Sequence, residues 1–338
     1  MIKILFRLDA NSQIGTGHLM RCLTLADALS QHAKDNNQTL TCCFYCHQLP
    51  PALAEWVVKR GHIYLEAAQL QSKIDPILDW QSDVVIVDHY GLDANWENQL
   101  YGKIPLLVID DLANRSHQCN WLLDQGPLRQ STDYTSVNQG CQFWLGSRFA
   151  LIAPEFHSYR RSNCGPFRQG LICFGGADPV HATKTTLEAL LKLERAKSIQ
   201  WHIIAGAANP DWPDLLELVQ FSSLAIHIKR HESNMPRLLA QCDFTIGAAG
   251  GMTWERCCIG IPTLAIPIVD NQVFNEAVIR RYQLAELLSL DDLSQPEQLD
   301  SALKSLESHR NLFRKHAQTM IDGLGAIRIA TKLLHLLR

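Results

Sequence analysis

Short apolar runs alternate with segments of helical periodicity, and the whole alternation occurs twice along the chain. No other feature constrains the fold as strongly. In the first series Ile2–Leu8 and residues 39–46, 83–87 and 105–109 read as strands. Between them, residues 18–31 carry Leu19, Cys22, Leu23, Leu25, Ala26 and Leu29 at helical spacing, and residues 52–60 and 96–101 read as shorter helices. Continuous apolar runs of about five residues are expected of parallel strands covered on both faces. Their alternation with helices predicts a doubly wound sheet.

A second series begins near residue 169. Residues 170–174, 199–205, 224–228 and 244–246, and Thr263–Ile266, read as strands, with helices at 182–193, 235–242 and 252–258. Residues 160–168 are polar, contain Gly165 and Pro166 and lack periodicity, so they are expected to be a linker. The reading is an α/β chain of two doubly wound, Rossmann-like domains, residues 1–160 and 168–320. They are expected to face a ligand cleft, with a C-terminal helix in 321–338 packing back on the first domain.

Composition narrows the function classes. The formal charge is -3, with no long basic run, so a nucleic-acid partner is not expected. No apolar stretch approaches the roughly 18 residues of a membrane span. The opening Met1-Ile-Lys-Ile-Leu-Phe-Arg7 is broken by charge and reads as a strand, not a signal peptide. The 11 cysteines are odd in number and form no framework, as expected of reduced thiols in a cytoplasmic protein. A monomer with no membrane partner is expected. Cys43-Phe-Tyr-Cys46-His47 fits the pattern of covalent haem attachment, but that attachment needs export, and the motif lies in an apolar strand. A structural zinc lacks a second Cys/His pair at ligand spacing. No cofactor or metal is expected.

Four stretches carry candidate chemistry. The first is Arg7-Leu-Asp9, then Ile14-Gly-Thr-Gly17-His18, then Arg21. A strand ends in a glycine turn and a helix starts near His18, where free N–H groups favour a phosphate or developing negative charge. His18 could take a proton at neutral pH. The third glycine of a dinucleotide fingerprint is absent, since position 20 is Met, so NAD is disfavoured. The second stretch ends β-like residues at Gly247 and continues as Ala248, Ala249, Gly250, Gly251, Met252, Thr253 and Glu255. Exposed amides at a helix start suit a diphosphate, and a first-turn carboxylate can accept hydrogen bonds from a ribose diol. The plainer reading of Glu255 is a complement to the helix dipole. The third stretch offers Asn271, Gln272 and Asn275, neutral groups suited to hydroxyls and acetamido groups, or simply to helix capping. The fourth is Asp88, His89 and Tyr90, with Asp110-Asp111 and Leu123-Asp-Gln125 ending later strands on the same rim. Gly175 and Gly176, with Asp178, end the first strand of the second series.

These blocks together resemble a known family. Arg7-x-Asp9, Gly15-x-Gly17-His18-x-x-Arg21-Cys22-Leu23, Val87-Asp-His-Tyr-Gly-Leu-Asp93, Asp110-Asp-Leu-Ala-x-Arg115, Gly175-Gly-x-Asp178 and Thr253-Trp-Glu255-x-Cys257 occur in order, with Asn271-Gln272 after them. The chain resembles the UDP-2,4-diacetamido-2,4,6-trideoxy-β-L-altropyranose hydrolases of pseudaminic acid biosynthesis, over about residues 1–285. Its second half is also similar to the lipid-II-forming N-acetylglucosaminyltransferases, which share the GT-B fold. The resemblance implies that water attacks the anomeric carbon of a UDP-activated diacetamido-trideoxyhexose, with inversion and loss of UDP. It implies His18 as general base and Glu255 as ribose ligand. The expected sugar-side residues are Arg7, Asp9, Gly17, Arg21, Asp88, Tyr90, Asn271, Gln272 and Asn275. The expected UDP-side residues are Gly175, Gly176, Ala249, Gly250, Gly251, Met252, Thr253 and Glu255. A diphosphate is a weakly basic leaving group, and the sequence has no Asp-x-Asp motif, so metal-independent turnover is expected. The competing expectations are a GT-B transferase using a UDP-amino sugar, a hydrolysing UDP-N-acetylhexosamine 2-epimerase, and a non-catalytic nucleotide-sugar sensor.

Overall fold

The computed structural model describes residues 1–10, 16–66 and 74–337, without the Asn271 side chain. The chain divides into two compact units: Met1–Ala153 with Gly323–Arg338, and Pro154–Asp322. Ile14 and Gly15 of the predicted glycine turn lie outside the described residues.

The first unit is built on a seven-stranded sheet of β1 (Ile2–Leu8), β2 (Leu40–Cys46), β3 (Ile63–Glu66), β4 (Val84–Asp88), β5 (Leu106–Ile109), β6 (Trp121–Asp124) and β7 (Gln142–Leu145). Their order is β3-β2-β1-β4-β5-β6-β7, and every pairing is parallel. Alternate residues supply the two faces. Ile4, Phe6, Leu8, Val84 and Ile86 pack with Leu19, Cys22, Leu23, Ala26 and Leu29 of the helix Gly17–Asp35. Leu5, Val85, Val87, Leu106 and Val108 pack on the other side with Ile77, Leu92, Trp96 and Leu100. Both faces are therefore covered, which is why these strands read as unbroken apolar runs.

The C-terminal helix Gly325–Leu336 joins the first of those clusters through Ala326, Ile329, Ala330, Leu333 and Leu334. It starts where the backbone passes so close to Ala150 that a Cβ on residue 325 would lie 2.2 Å from the Ala150 oxygen, which requires glycine.

The second unit carries six parallel strands: β8 (Gln169–Cys173), β9 (Gln200–Ile204), β10 (Ala225–Lys229), β11 (Phe244–Ala248), β12 (Thr263–Ile266) and β13 (Glu286–Leu287). Their order is β10-β9-β8-β11-β12-β13. Its core includes Ile172, Trp201, Phe244 and Leu264, with Leu299, Leu303, Leu306 and Phe313 of the long helix Pro296–Met320. In both units the strand order reverses beside the first strand, between β1 and β4 and between β8 and β11. The C-terminal ends of strands at such a reversal are where open α/β sheets bind ligands.

Residues 160–168, expected to be a linker, are instead tied into the second unit. Arg160 donates to the Ile321 oxygen at 2.8 Å and the Gln318 oxygen at 3.0 Å. Arg161 donates to the carbonyls of Leu239, Ala240 and Cys242. Phe167 is also buried, stacked on Phe244 with centroids 4.2 Å apart, so the segment is held by single contacts and not by a periodic face. Among the described residues, no helix is long and apolar enough to cross a membrane.

Candidate active site

In the first unit the β1/β4 reversal brings together residues far apart in sequence. His18 lies in the first turn of the helix Gly17–Asp35 and is only 5% exposed. Its Nδ1 is 3.1 Å from the Asp88 main-chain oxygen and 3.6 Å from Asp88 Oδ1. A carbonyl oxygen can only accept, so Nδ1 carries the proton and Nε2 keeps its lone pair. Among the described residues nothing hydrogen-bonds that buried Nε2. Burial holds the imidazole below its ordinary pKa of 6.5, against the pull of Asp88 and with help from Arg21. The result is a neutral, oriented imidazole with a free acceptor nitrogen, the state a general base requires.

Arg21, one turn along the same helix, holds Asp88 from both sides. Its Nε reaches Oδ2 and its Nη2 reaches Oδ1, each at 2.6 Å. Its Nη1 donates to Asp111 Oδ2 at 2.7 Å. Burial pushes the Asp88 carboxyl up, but the Arg21 guanidinium outweighs it and keeps Asp88 ionised. Asp88 is fully buried, so it acts on the site through Arg21 and its own carbonyl. Tyr90 is 43% exposed and stands edge-on to the His18 ring, with centroids 4.4 Å apart. Its hydroxyl is 3.4 Å from Asp111 Oδ2. Gly17 is exposed, and a Cβ there would meet nothing within 4 Å.

Arg7 and Asp9 sit beneath this surface, each 1% exposed. Arg7 Nη1 donates to Asp9 Oδ1 at 2.8 Å. Asp9 also accepts from the His47 and Gln48 amides and lies 3.0 Å from His89 Nε2. Burial pushes Asp9 up, yet the bonds from His89 and Arg7 hold it well below the usual carboxylate range. These two residues fix the β1 and β4 ends in place. A neighbouring buried network ties the end of β5 to the end of β4. Asp110 accepts from Arg115 and the Ala113 amide, and Arg115 Nη1 also donates to the His89 oxygen at 2.6 Å. His117 Nδ1 pairs with Glu97 at 2.9 Å, and those two carboxylates overcome its burial to push it up to about 9.

In the second unit the loop after β11 leads straight into the helix Met252–Ile259. No side chain caps that helix start, and Gly251 before it is exposed with open space where a Cβ would point. Thr253 is 2% exposed, and its hydroxyl has no partner among the described residues. An uncapped helix start with an unpartnered hydroxyl suits an anion. Glu255 follows in the first turn, partly exposed, and burial pushes its carboxyl up to about 7. Asn275 Nδ2 donates to the Ala249 oxygen at 2.8 Å, and Gln272 Oε1 accepts from the Ile268 amide at 3.0 Å. Asn275 therefore braces the loop after β11, and Gln272 closes the turn after β12.

Gly175 has φ +107, a region that favours glycine, and the Gly176 oxygen accepts from the Ala208 amide at 2.9 Å. The nearby helix start Ala182–Leu190 differs from the other one. Asp178 accepts from the Ala182 and Thr183 amides at 2.9 and 2.8 Å, so a carboxylate already occupies it. Of these two helix starts, the one at Met252 is the open one. The predicted residue Asn271 lies in the turn Asp270–Gln272, and its side chain is outside the described residues.

Comparison with known proteins fits this geometry. Residues 171–329 match the glycosyltransferase family 28 C-terminal domain. That match covers the β8–β13 sheet from Leu171 onward and the Met252 helix start. The chain is 28% identical over 277 residues to a Campylobacter jejuni protein named UDP-2,4-diacetamido-2,4,6-trideoxy-β-L-altropyranose hydrolase, covering 80% of this chain and 93% of that one. It is 22% identical over 331 residues to the Bacillus subtilis spore coat polysaccharide biosynthesis protein SpsG, covering 95% and 94%. Among solved structures, Acinetobacter baumannii MurG superposes with a TM-score of 0.61 at 12% identity, over 100% of this chain and 98% of that one. The fold is thus GT-B, with two Rossmann-like parallel-sheet domains.

The sequence pointed to most of these positions but not to what they touch. It assigned Asp88 and Arg21 to substrate and left Arg115, Glu97 and His117 without a role. The spacing Asp110-Asp-Leu-Ala-Asn-Arg115 was the available signal for Arg115, because a short turn after a strand returns a side chain to the strand end.

Proposed function

We propose that the chain is a UDP-sugar hydrolase acting on UDP-2,4-diacetamido-2,4,6-trideoxy-β-L-altropyranose, in pseudaminic acid biosynthesis. The observation that carries the reading is His18: neutral, fixed through Nδ1, and with no partner on Nε2 among the described residues. The 28% identity to the Campylobacter jejuni hydrolase supports the substrate. Water would be positioned by Nε2. Its oxygen bonds to the anomeric carbon as the bond from that carbon to the diphosphate oxygen breaks. The electron pair leaves on UDP, the water proton goes to Nε2, and the configuration inverts. The uncapped Met252 helix start and the Thr253 hydroxyl support binding of the diphosphate charge, which eases departure of UDP. Glu255 is assigned to the ribose diol.

A hydrolase needs no acceptor, which separates it from a transferase. The protein incubated with this UDP-sugar and a chelator is expected to release UDP and free sugar. Activity that requires an added acceptor, or that dies on chelation and returns with magnesium, would contradict the reading. Glu255→Ala is expected to weaken UDP binding about 10- to 100-fold, the worth of hydrogen bonds to a charged acceptor. Only the ionised carboxylate accepts fully. With its pKa near 7, Glu255 should make UDP affinity in the parent protein fall as pH drops through neutrality, and calorimetry on Glu255→Ala should lose that part of the slope.

A further inference from the structure

Five aspartates end or follow strands of the first unit, and four of them have both oxygens committed. Asp9 is held by Arg7, His89 and two amides, and Asp88 by Arg21. Asp110 is held by Arg115 and the Ala113 amide, and Asp124 by Arg129, Tyr134 and the Gly126 amide. Their side chains are at most 2% exposed. Asp111 is different. Its side chain is 31% exposed, its Oδ2 meets Arg21 and Tyr90, and its Oδ1 is shielded from water with no partner among the described residues. A buried acceptor left open is rare unless something else fills it.

We propose that Asp111 is a further residue of this site, whose partly exposed carboxylate faces the sugar and whose charge stabilises the cation developing at the anomeric carbon. The inference rests on the hydrolase reading. Breaking a glycosyl C–O bond passes through an oxocarbenium-like state, and a nearby carboxylate stabilises it. The charge is available there. Arg21 brings one positive charge to two carboxylates, so the cluster keeps a net negative charge, and Asp111 is its more exposed carboxylate. The residue is also adjacent to the base. Tyr90 contacts both the His18 ring and Asp111, and Arg21 bonds Asp111 from the helix that carries His18. No bond to Asp111 forms or breaks in the step.

The test is Asp111→Asn, which keeps the shape and the acceptor facing Arg21 and removes the charge. It is expected to lower kcat roughly 10²-fold, the usual cost of losing one electrostatic stabiliser, with KM and UDP inhibition little changed. A second readout is the pH profile. The charged and titratable groups acting on His18 are Asp88, Arg21, Asp111 and Tyr90, and Asp111 raises the His18 proton affinity. Its neutralisation should therefore move the acidic limb of kcat, read at saturating substrate, to lower pH. A kcat within about threefold of the parent overturns the proposal, as does a loss of kcat matched by a loss of UDP binding. A parent protein that releases no UDP from the sugar nucleotide overturns the hydrolase reading itself. Turnover by the parent with an unaffected Asp111→Asn variant overturns this inference alone.

Discussion

Replacing His18 by alanine is expected to lower kcat by roughly 10²–10⁴, the range for loss of a general acid–base group. That is about 3–5 kcal/mol of transition-state stabilisation. UDP affinity should hold, because the groups assigned to the nucleotide, Thr253 and Glu255, belong to the second unit. The parent pH profile should agree. Burial holds the His18 imidazole below 6.5, so the base is already free at neutrality and kcat at saturating substrate should fall only at lower pH, as Nε2 becomes protonated. Steady-state kinetics of the variant between pH 5 and 8 check both points. A change of less than about threefold at neutral pH would remove His18 from the mechanism.

The second large effect is expected on stability. Arg21→Met removes the partner of a carboxylate that is fully buried, and an unpaired buried charge costs about 3–5 kcal/mol. Urea unfolding of the variant should show that loss, and adding Asp88→Asn should return part of it. The same variant should alter the base. Arg21 lowers the His18 proton affinity, while Asp88 and Asp111 raise it. Without Arg21 the two carboxylates act unopposed, and the acidic limb of the profile should move to higher pH. An unchanged midpoint of unfolding would mean that the Arg21–Asp88 pair does not organise the site.

How much of this was legible depended on burial. The central strands β1, β4, β5 and β11 are covered on both faces, and their unbroken apolar runs announced them. The edge strands β3 and β13 are short and half-exposed, with Glu66 and Glu286 among their residues, and gave no such run. His18 was visible because glycines precede a helix that carries it. The work done by Asp88 was not, since its partner Arg21 lies 67 residues away and meets it only once β1 and β4 pair. Gln272 and Asn275 read as sugar ligands because amides suit both sugars and main chain. Only the fold sets their contacts with Ile268 and Ala249. Asp111 was visible as a strand-end acid, but its open oxygen is apparent only against the satisfied oxygens of Asp9, Asp88, Asp110 and Asp124.

The central claim is that water attacks carbon and not phosphorus. Turnover of the UDP-diacetamido sugar in ¹⁸O-water, read by ³¹P NMR, tests it most directly. Attack at the anomeric carbon, driven by His18, leaves the released UDP free of ¹⁸O and its phosphorus signals unshifted, with the first sugar anomer inverted in the proton spectrum. An isotope shift on the UDP β-phosphorus, or a retained anomer, would contradict the account.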